Sequence, residues 1–91
     1  MATIDIRRKH GQTPAQARAL VDKTAAAVSK KFGVSSEWDD DTLHFKRSGV
    51  DGEIRVTKTE VIVHAELGFL FGAMKPMIER EIAEQLDKNF G

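Results

Sequence analysis

Between Val34 and Leu67 the apolar residues return at every second position, whereas on both sides of that stretch the spacing is helical. This change of period limits the fold more than any other feature. Alternate side chains of a strand point to opposite faces, so a segment that keeps the alternation through several turns forms a sheet with one greasy side. Turn residues at Asp39-Asp40-Asp41, Gly49-Val50-Asp51-Gly52 and Lys58-Thr59 divide it into four strands, roughly 34–39, 42–48, 53–57 and 60–67. The phases agree with one another. A loop at 40–41 sets Trp38 opposite Leu43. A hairpin closing over 49–52 sets Phe45 opposite Val56 and Arg47 opposite Ile54. A two-residue loop at 58–59, without the usual Gly or Asn, sets Val56 opposite Val61 and Ile54 opposite Val63. The inner face is then Val34, Trp38, Leu43, Phe45, Ile54, Val56, Val61, Val63, Ala65 and Leu67. The outer face carries Glu37, His44, Lys46, Glu53, Arg55, Ile62, His64 and Glu66. One apolar and one ionic face predict an antiparallel sheet covered on one side only.

The flanking elements supply the cover. Residues 2–9 alternate, with Ile4 and Ile6 inward, and read as a further strand. Thr13-Pro14-Ala15-Gln16 is a helix start: Thr13 caps, Pro14 suits the first helical position and Gln16 completes a capping box. The stripe Ala17, Leu20, Val21, Ala25, Val28 and Phe32 follows, and Gly33 supplies a left-handed stop. A last helix, roughly 70–89, carries Met74, Ile78, Ile82 and Leu86, extended by Phe71 and Phe90. Pro76 breaks a helix interior but tolerates a first turn. Either the helix proper begins near Lys75, after a looser turn at 68–74, or one helix begins near Leu70 and kinks at Pro76; the kinked helix is the preferred reading. The order β-α-β-β-β-β-α predicts a single two-layer α+β domain over 1–91, with two helices on one face of an antiparallel sheet. That order is similar to a TATA-binding-protein repeat and to small helix-grip domains.

Composition narrows the function. Fourteen Lys and Arg balance fourteen Asp and Glu. Nucleic-acid binders carry a basic excess, so none is expected as a partner; a charge near zero favours self-association, and a homodimer is an expected state. Without Cys there is no disulfide, thiolate nucleophile or Cys-based zinc site. MATIDIRRKHG lacks the apolar core of a signal peptide, and no apolar run approaches the ~20 residues of a membrane span. The expectation is a cytoplasmic protein with no transmembrane segment.

Reactive groups are sparse. His44 and His64 share the outer face on strands separated by one other, roughly 10 Å apart at about 4.8 Å per strand, too far for one ion. Cross-strand pairing with Glu37 and Glu53 accounts for them better than a metal. The Asp39–Asp41 run lacks the ligand spacing of a calcium loop and reads as a turn. Arg7-Arg8-Lys9-His10 suits a protected edge strand. Arg47 interrupts the apolar face; it either snorkels at the rim or meets a carboxylate such as Glu79 or Glu81. No Ser/His/Asp set or phosphate-binding glycine loop is present, and no catalytic residue, cofactor or metal is expected. What stands out is Gly68-Phe69-Leu70-Phe71-Gly72 with Met74 and Met77. Consecutive apolar residues cannot all face one way on a helix, so at least one is exposed or meets a partner.

IDIRRKHG at 4–11, TPAQAR at 13–18, RSGVDGEI at 47–54 and ELGFLFGAMKPMIEREI at 66–82 together resemble the polyhydroxyalkanoic acid system protein family, small bacterial proteins associated with polyester storage. The resemblance spans nearly the whole chain and brings no catalytic motif. It implies a non-enzymatic accessory protein whose partners are the polyhydroxyalkanoate granule, granule proteins or itself. Phe69, Leu70, Phe71, Met74 and Met77 are the candidate contact residues. The alternative is an acyl-ligand domain of helix-grip type, with a pocket at Phe45, Val56, Val63 and Ile78.

Overall fold

Five strands form one antiparallel sheet in the order β1-β5-β4-β3-β2, and the long helices lie on one of its faces. The structure, a computed structural model, describes residues 2–90, apart from the side chain of Leu70. Along the chain the elements are β1 (Ala2–Lys9), α1 (Pro14–Phe32), β2 (Ser35–Asp39), β3 (Thr42–Arg47), β4 (Val50–Val56), β5 (Glu60–Leu67), a single helical turn α2 (Phe69–Gly72) and α3 (Lys75–Phe90).

Helix α1 forms where its caps predict. The Thr13 hydroxyl accepts from the Gln16 amide, and the Gln16 side chain accepts from the Thr13 amide, which satisfies two donors left free by the first turn. At the other end Gly33 adopts φ 69 and its N–H donates to the Ser29 carbonyl at 2.7 Å. The predicted stripe turns inward: Ala17, Val21, Ala25 and Val28 are buried, with Leu20 and Phe32 half-buried at its margins. Polar contacts lock α1 to α3. The wholly buried Thr24 accepts from Asn89 at 2.9 Å, and Lys31 meets Glu81 at 3.1 Å. The Thr24 hydroxyl itself donates to the Leu20 carbonyl at 3.1 Å within α1, so the Asn89 bond is an added contact between the helices, worth about 0.5–1.5 kcal/mol.

The sheet has the predicted faces but not every predicted register. Trp38 pairs with Leu43, Val56 with Val61 and Ile54 with Val63, as the alternation required. The β3–β4 hairpin differs: Phe45 lies opposite Gly52, Leu43 opposite Ile54 and Arg47 opposite Val50. The turn is Ser48-Gly49 alone, with Gly49 at φ 86, and β4 begins at Val50 instead of 53. Gly52 is a strand residue. A Cβ there would lie 2.9 Å from the Ala65 Cβ, so its glycine serves close packing across β4–β5 and not a turn. The slip is four residues, an even number, so every side chain keeps its face. Leu43, Ile54, Val61, Val63 and Leu67 are almost wholly buried beneath the sheet, at about 1.5–3 kcal/mol each relative to exposure.

The final segment resolves the problem of Pro76 against the single kinked helix. The chain makes one turn at Phe69–Gly72, breaks at Ala73-Met74 and restarts at Lys75, which places Pro76 in the first turn of α3. An uninterrupted helix would need a Pro76 N–H that does not exist and would press its ring on the Gly72 carbonyl. Ile78, Ile82 and Leu86 then close the core from the side of α3.

Candidate binding surface

Three glycines shape the junction between β5 and α3. Gly68 ends β5 and donates its N–H to the Gly49 carbonyl at 2.8 Å, and a Cβ on Gly68 would meet the Gly49 Cα at 3.3 Å. The segment therefore crosses the β3–β4 hairpin at backbone-to-backbone distance. Gly72 closes the turn by donating to the Gly68 carbonyl at 2.7 Å. Residues two apart on a helical turn point in roughly opposite directions, and Phe69 and Phe71 divide accordingly. Phe71 folds inward, half-buried, with its ring 3.1 Å from where a Gly49 Cβ would stand. Phe69 turns outward and is 90% exposed. Met77, on the first turn of α3, is 47% exposed, while Met74 is half-buried against the core. Of the five candidate contact residues, Phe69 and Met77 present the surface and Phe71 and Met74 anchor it; the Leu70 side chain lies outside the described residues.

Arg47 completes the rim. Its Nη1 donates to the Phe32 carbonyl at 2.6 Å, and its guanidinium lies 4.9 Å from the Phe71 ring centroid. Of the two expected roles, snorkelling is the observed one, and neither Glu79 nor Glu81 is its partner. Below the rim lies an apolar cavity of about 40 Å³. Phe45, Val63 and Ile78 line it, together with Phe32, Phe71 and Thr24. Val56 is buried but does not border it. A volume of this order exceeds the ~10–15 Å³ that one water needs, yet accepts no more than a short alkyl group.

The ionic face is organised in a row that the sequence only half disclosed. Asp5, His64, Glu53, His44 and Glu37 are successive cross-strand neighbours over all five strands. His64 Nδ1 lies 3.0 Å from an Asp5 carboxylate oxygen, and this bond raises the His64 pKa above its ordinary value, with desolvation opposing it. Among the described residues no three His, Asp or Glu side chains converge as metal ligands. In the Asp39–Asp41 run Asp39 ends β2 and Asp40-Asp41 make the hairpin turn, with Asp40 at φ 55. Trp38 is held by Asp22, which accepts from its indole N–H at 2.6 Å, and by Arg18 stacked 4.6 Å above the ring. Neither partner was predictable, because both come from α1 and the packing of α1 on β2 has no sequence signature.

These features define a class: a small two-layer α+β domain with one presented apolar turn, in which no three His, Asp or Glu of the described residues are placed to hold a metal ion. A family model matches residues 4–90, and the chain belongs to the family described as "Putative polyhydroxyalkanoic acid system protein". The expectation drawn from the four sequence segments is confirmed over nearly the whole chain, and the family description ties it to the polyhydroxyalkanoic acid system. No curated protein and no solved structure gives a match. Among the described residues no helix is long and apolar enough to cross a membrane.

Proposed function

We propose that this protein is a non-enzymatic accessory of polyhydroxyalkanoate storage that attaches to the granule surface through Phe69 and Met77. The observation that carries the reading is the 90% exposure of Phe69 on a turn pinned by the Gly68–Gly49 bond. Leaving such a ring in water forgoes about 1.5–3 kcal/mol of burial. A stored polyester coated with amphiphile offers the apolar contact that the ring lacks, and an apolar group rimmed by charge suits such a surface. Arg47, with its guanidinium 4.9 Å from the Phe71 ring centroid, supplies positive charge beside the turn. The family's tie to the polyester system supports the same reading.

Co-sedimentation with amorphous polyhydroxyalkanoate particles tests it. The pair Phe69→Ser and Met77→Ser is the informative variant, because Phe71 contributes to the core and its loss would confound the result. Binding should fall at least about tenfold, the effect of losing roughly 1.4 kcal/mol. Unchanged co-sedimentation of the double variant would remove the patch from consideration.

The cavity favours a second reading, a site for the alkyl end of a short acyl or hydroxyacyl chain whose polar head stays outside it. Its lining by Phe45, Val63 and Ile78 supports this, and its size of about 40 Å³ restricts it to the shortest chains. Titration with 3-hydroxybutyrate should shift the Val63 and Ile78 methyl signals and leave Val56, which lies off the cavity, in place. A titration that moves none of them ends this reading.

A further inference from the structure

The sheet has two open edges, β1 and β2, and they differ in what they can accept. In an antiparallel ladder each residue sends its N–H and C=O to the same side, and the side alternates along the strand. The His10 N–H donates to the Thr59 carbonyl at 2.9 Å. Continued through the register Lys9↔Glu60 to Ala2↔Leu67, this assigns the even-numbered residues of β1 to β5. Thr3, Asp5, Arg7 and Lys9 therefore turn their backbone groups toward the free edge. The Arg7 carbonyl accepts from its neighbour Arg8 at 2.9 Å, which leaves its second lone pair open. All four side chains are exposed on the ionic face.

We propose that β1 pairs antiparallel with β1 of a second copy of this chain, about a two-fold axis at Ile6, so that two five-stranded sheets become one. In that register Asp5 faces the second copy's Arg7 and Arg7 faces its Asp5. Thr3 faces Lys9, and the two Ile6 residues meet at the axis, toward the core side. The residues set opposite one another are the ones whose backbone groups are free, so ladder geometry and charge select the same alignment. A shift by two residues in one direction sets Asp5 against Asp5; in the other it sets Arg7 against Arg7. Like charges directly opposite are destabilising. Shifts by one residue exchange the faces of the sheet.

The other edge does not offer this. The Val56 N–H donates to the Asp41 carbonyl, which assigns the odd residues of β3 to β4 and its even residues to β2. The free backbone groups of β2 are then those of Ser36 and Trp38, whose side chains lie on the helix side. Self-pairing centred on this short strand sets Glu37 against Glu37. Joining β1 to β2 of another copy would throw the two helical layers to opposite sides of the sheet. Pairing through β1 keeps both layers on one side and so presents two Phe69 turns from the same assembly, although the pairing itself does not depend on what Phe69 binds. Main-chain bonds supply the attraction in strand addition, and the side chains supply the choice of register.

Sedimentation velocity from micromolar to millimolar protein tests the pairing in the intact chain. The wild type should sediment as a concentration-dependent dimer. Asp5→Arg alone and Arg7→Asp alone each place like charges opposite one another at both symmetric positions, and should weaken association about ten- to a hundredfold. The double swap restores opposite signs and should restore the dimer. Amide exchange gives an independent readout: the Asp5 and Arg7 amides should exchange slowly in the dimer and fast on dilution. A wild type that stays monomeric over the whole range overturns the proposal. So does a dimer that ignores the single swaps, a double swap that fails to recover it, or Asp5 and Arg7 amides whose exchange is independent of concentration.

Discussion

The two faces of the sheet are made from the same strands, residue by residue, and do opposite work. Beneath it, Leu43, Ile54, Val61 and Val63 are at most 2% exposed and meet α1 and α3. Above it, Asp5, His64, Glu53, His44 and Glu37 form a row with water on one side. Side chains one residue apart in sequence thus differ by whole kilocalories in what their removal costs. The lower face holds the fold together. The upper face and the free edge of β1 can change without unfolding it, which is the condition for a surface that meets partners. The junction at Phe69–Gly72 joins the two behaviours in one turn: Phe71 belongs to the core and Phe69 to the solvent.

The contrast breaks most visibly in the core. Leu86 is wholly buried between α3 and the sheet, and Leu86→Ala should cost about 2–5 kcal/mol. For a domain of this size that lowers Tm by more than about 8 °C, measurable by calorimetry. Gly52→Val should follow at about 1–3 kcal/mol, because the added branches would press on the Ala65 Cβ and the His64 carbonyl, 2.9 and 3.0 Å from the first added carbon. A hairpin turn at 49–52 would instead have tolerated that change in a loop, so chemical denaturation of this variant separates the two registers. Phe69→Ser should alter stability by no more than about 0.5 kcal/mol while weakening particle binding. A loss of several kilocalories from Phe69→Ser would mean that the ring is a core residue after all.

The faces were legible in the sequence because parity is robust: a slip of two or four residues leaves each side chain on its own side. The β3–β4 register was not, because Gly49 and Gly52 both look like turn residues and only contact with Ala65 distinguishes them. Helix α1 was legible to the residue at both ends, since Thr13, Pro14, Gln16 and Gly33 each act within one turn. The break before Pro76 was visible as a conflict, and its resolution required the tertiary path over Gly49. The apolar junction was evident from composition alone. Which of its rings is presented depends on the Gly68–Gly49 contact, a meeting of segments far apart in sequence. The cavity behind it had no sequence signal, because a void is a property of side chains from several elements at once.

The smallest predicted effect lies on the ionic face and sharpens the contrast from its weak side. The Asp5 carboxylate, 3.0 Å from His64 Nδ1, favours the protonated ring and holds the His64 pKa above 6.5. A histidine whose folded pKa is raised stabilises the fold fully below its unfolded value, near 6.5, and that contribution is lost as pH rises through the folded pKa. The domain should therefore be slightly more stable on the acid side of this window, by an amount that solvent screening keeps small. Proton NMR of the His64 ring should give a midpoint above 6.5 in the wild type, and Asp5→Asn should bring it down. Added salt should weaken the shift, since both groups stand largely in water. A His64 midpoint at or below 6.5, or one indifferent to Asp5→Asn, would mean that the row is merely a set of neighbours and that the upper face carries no coupling across its strands.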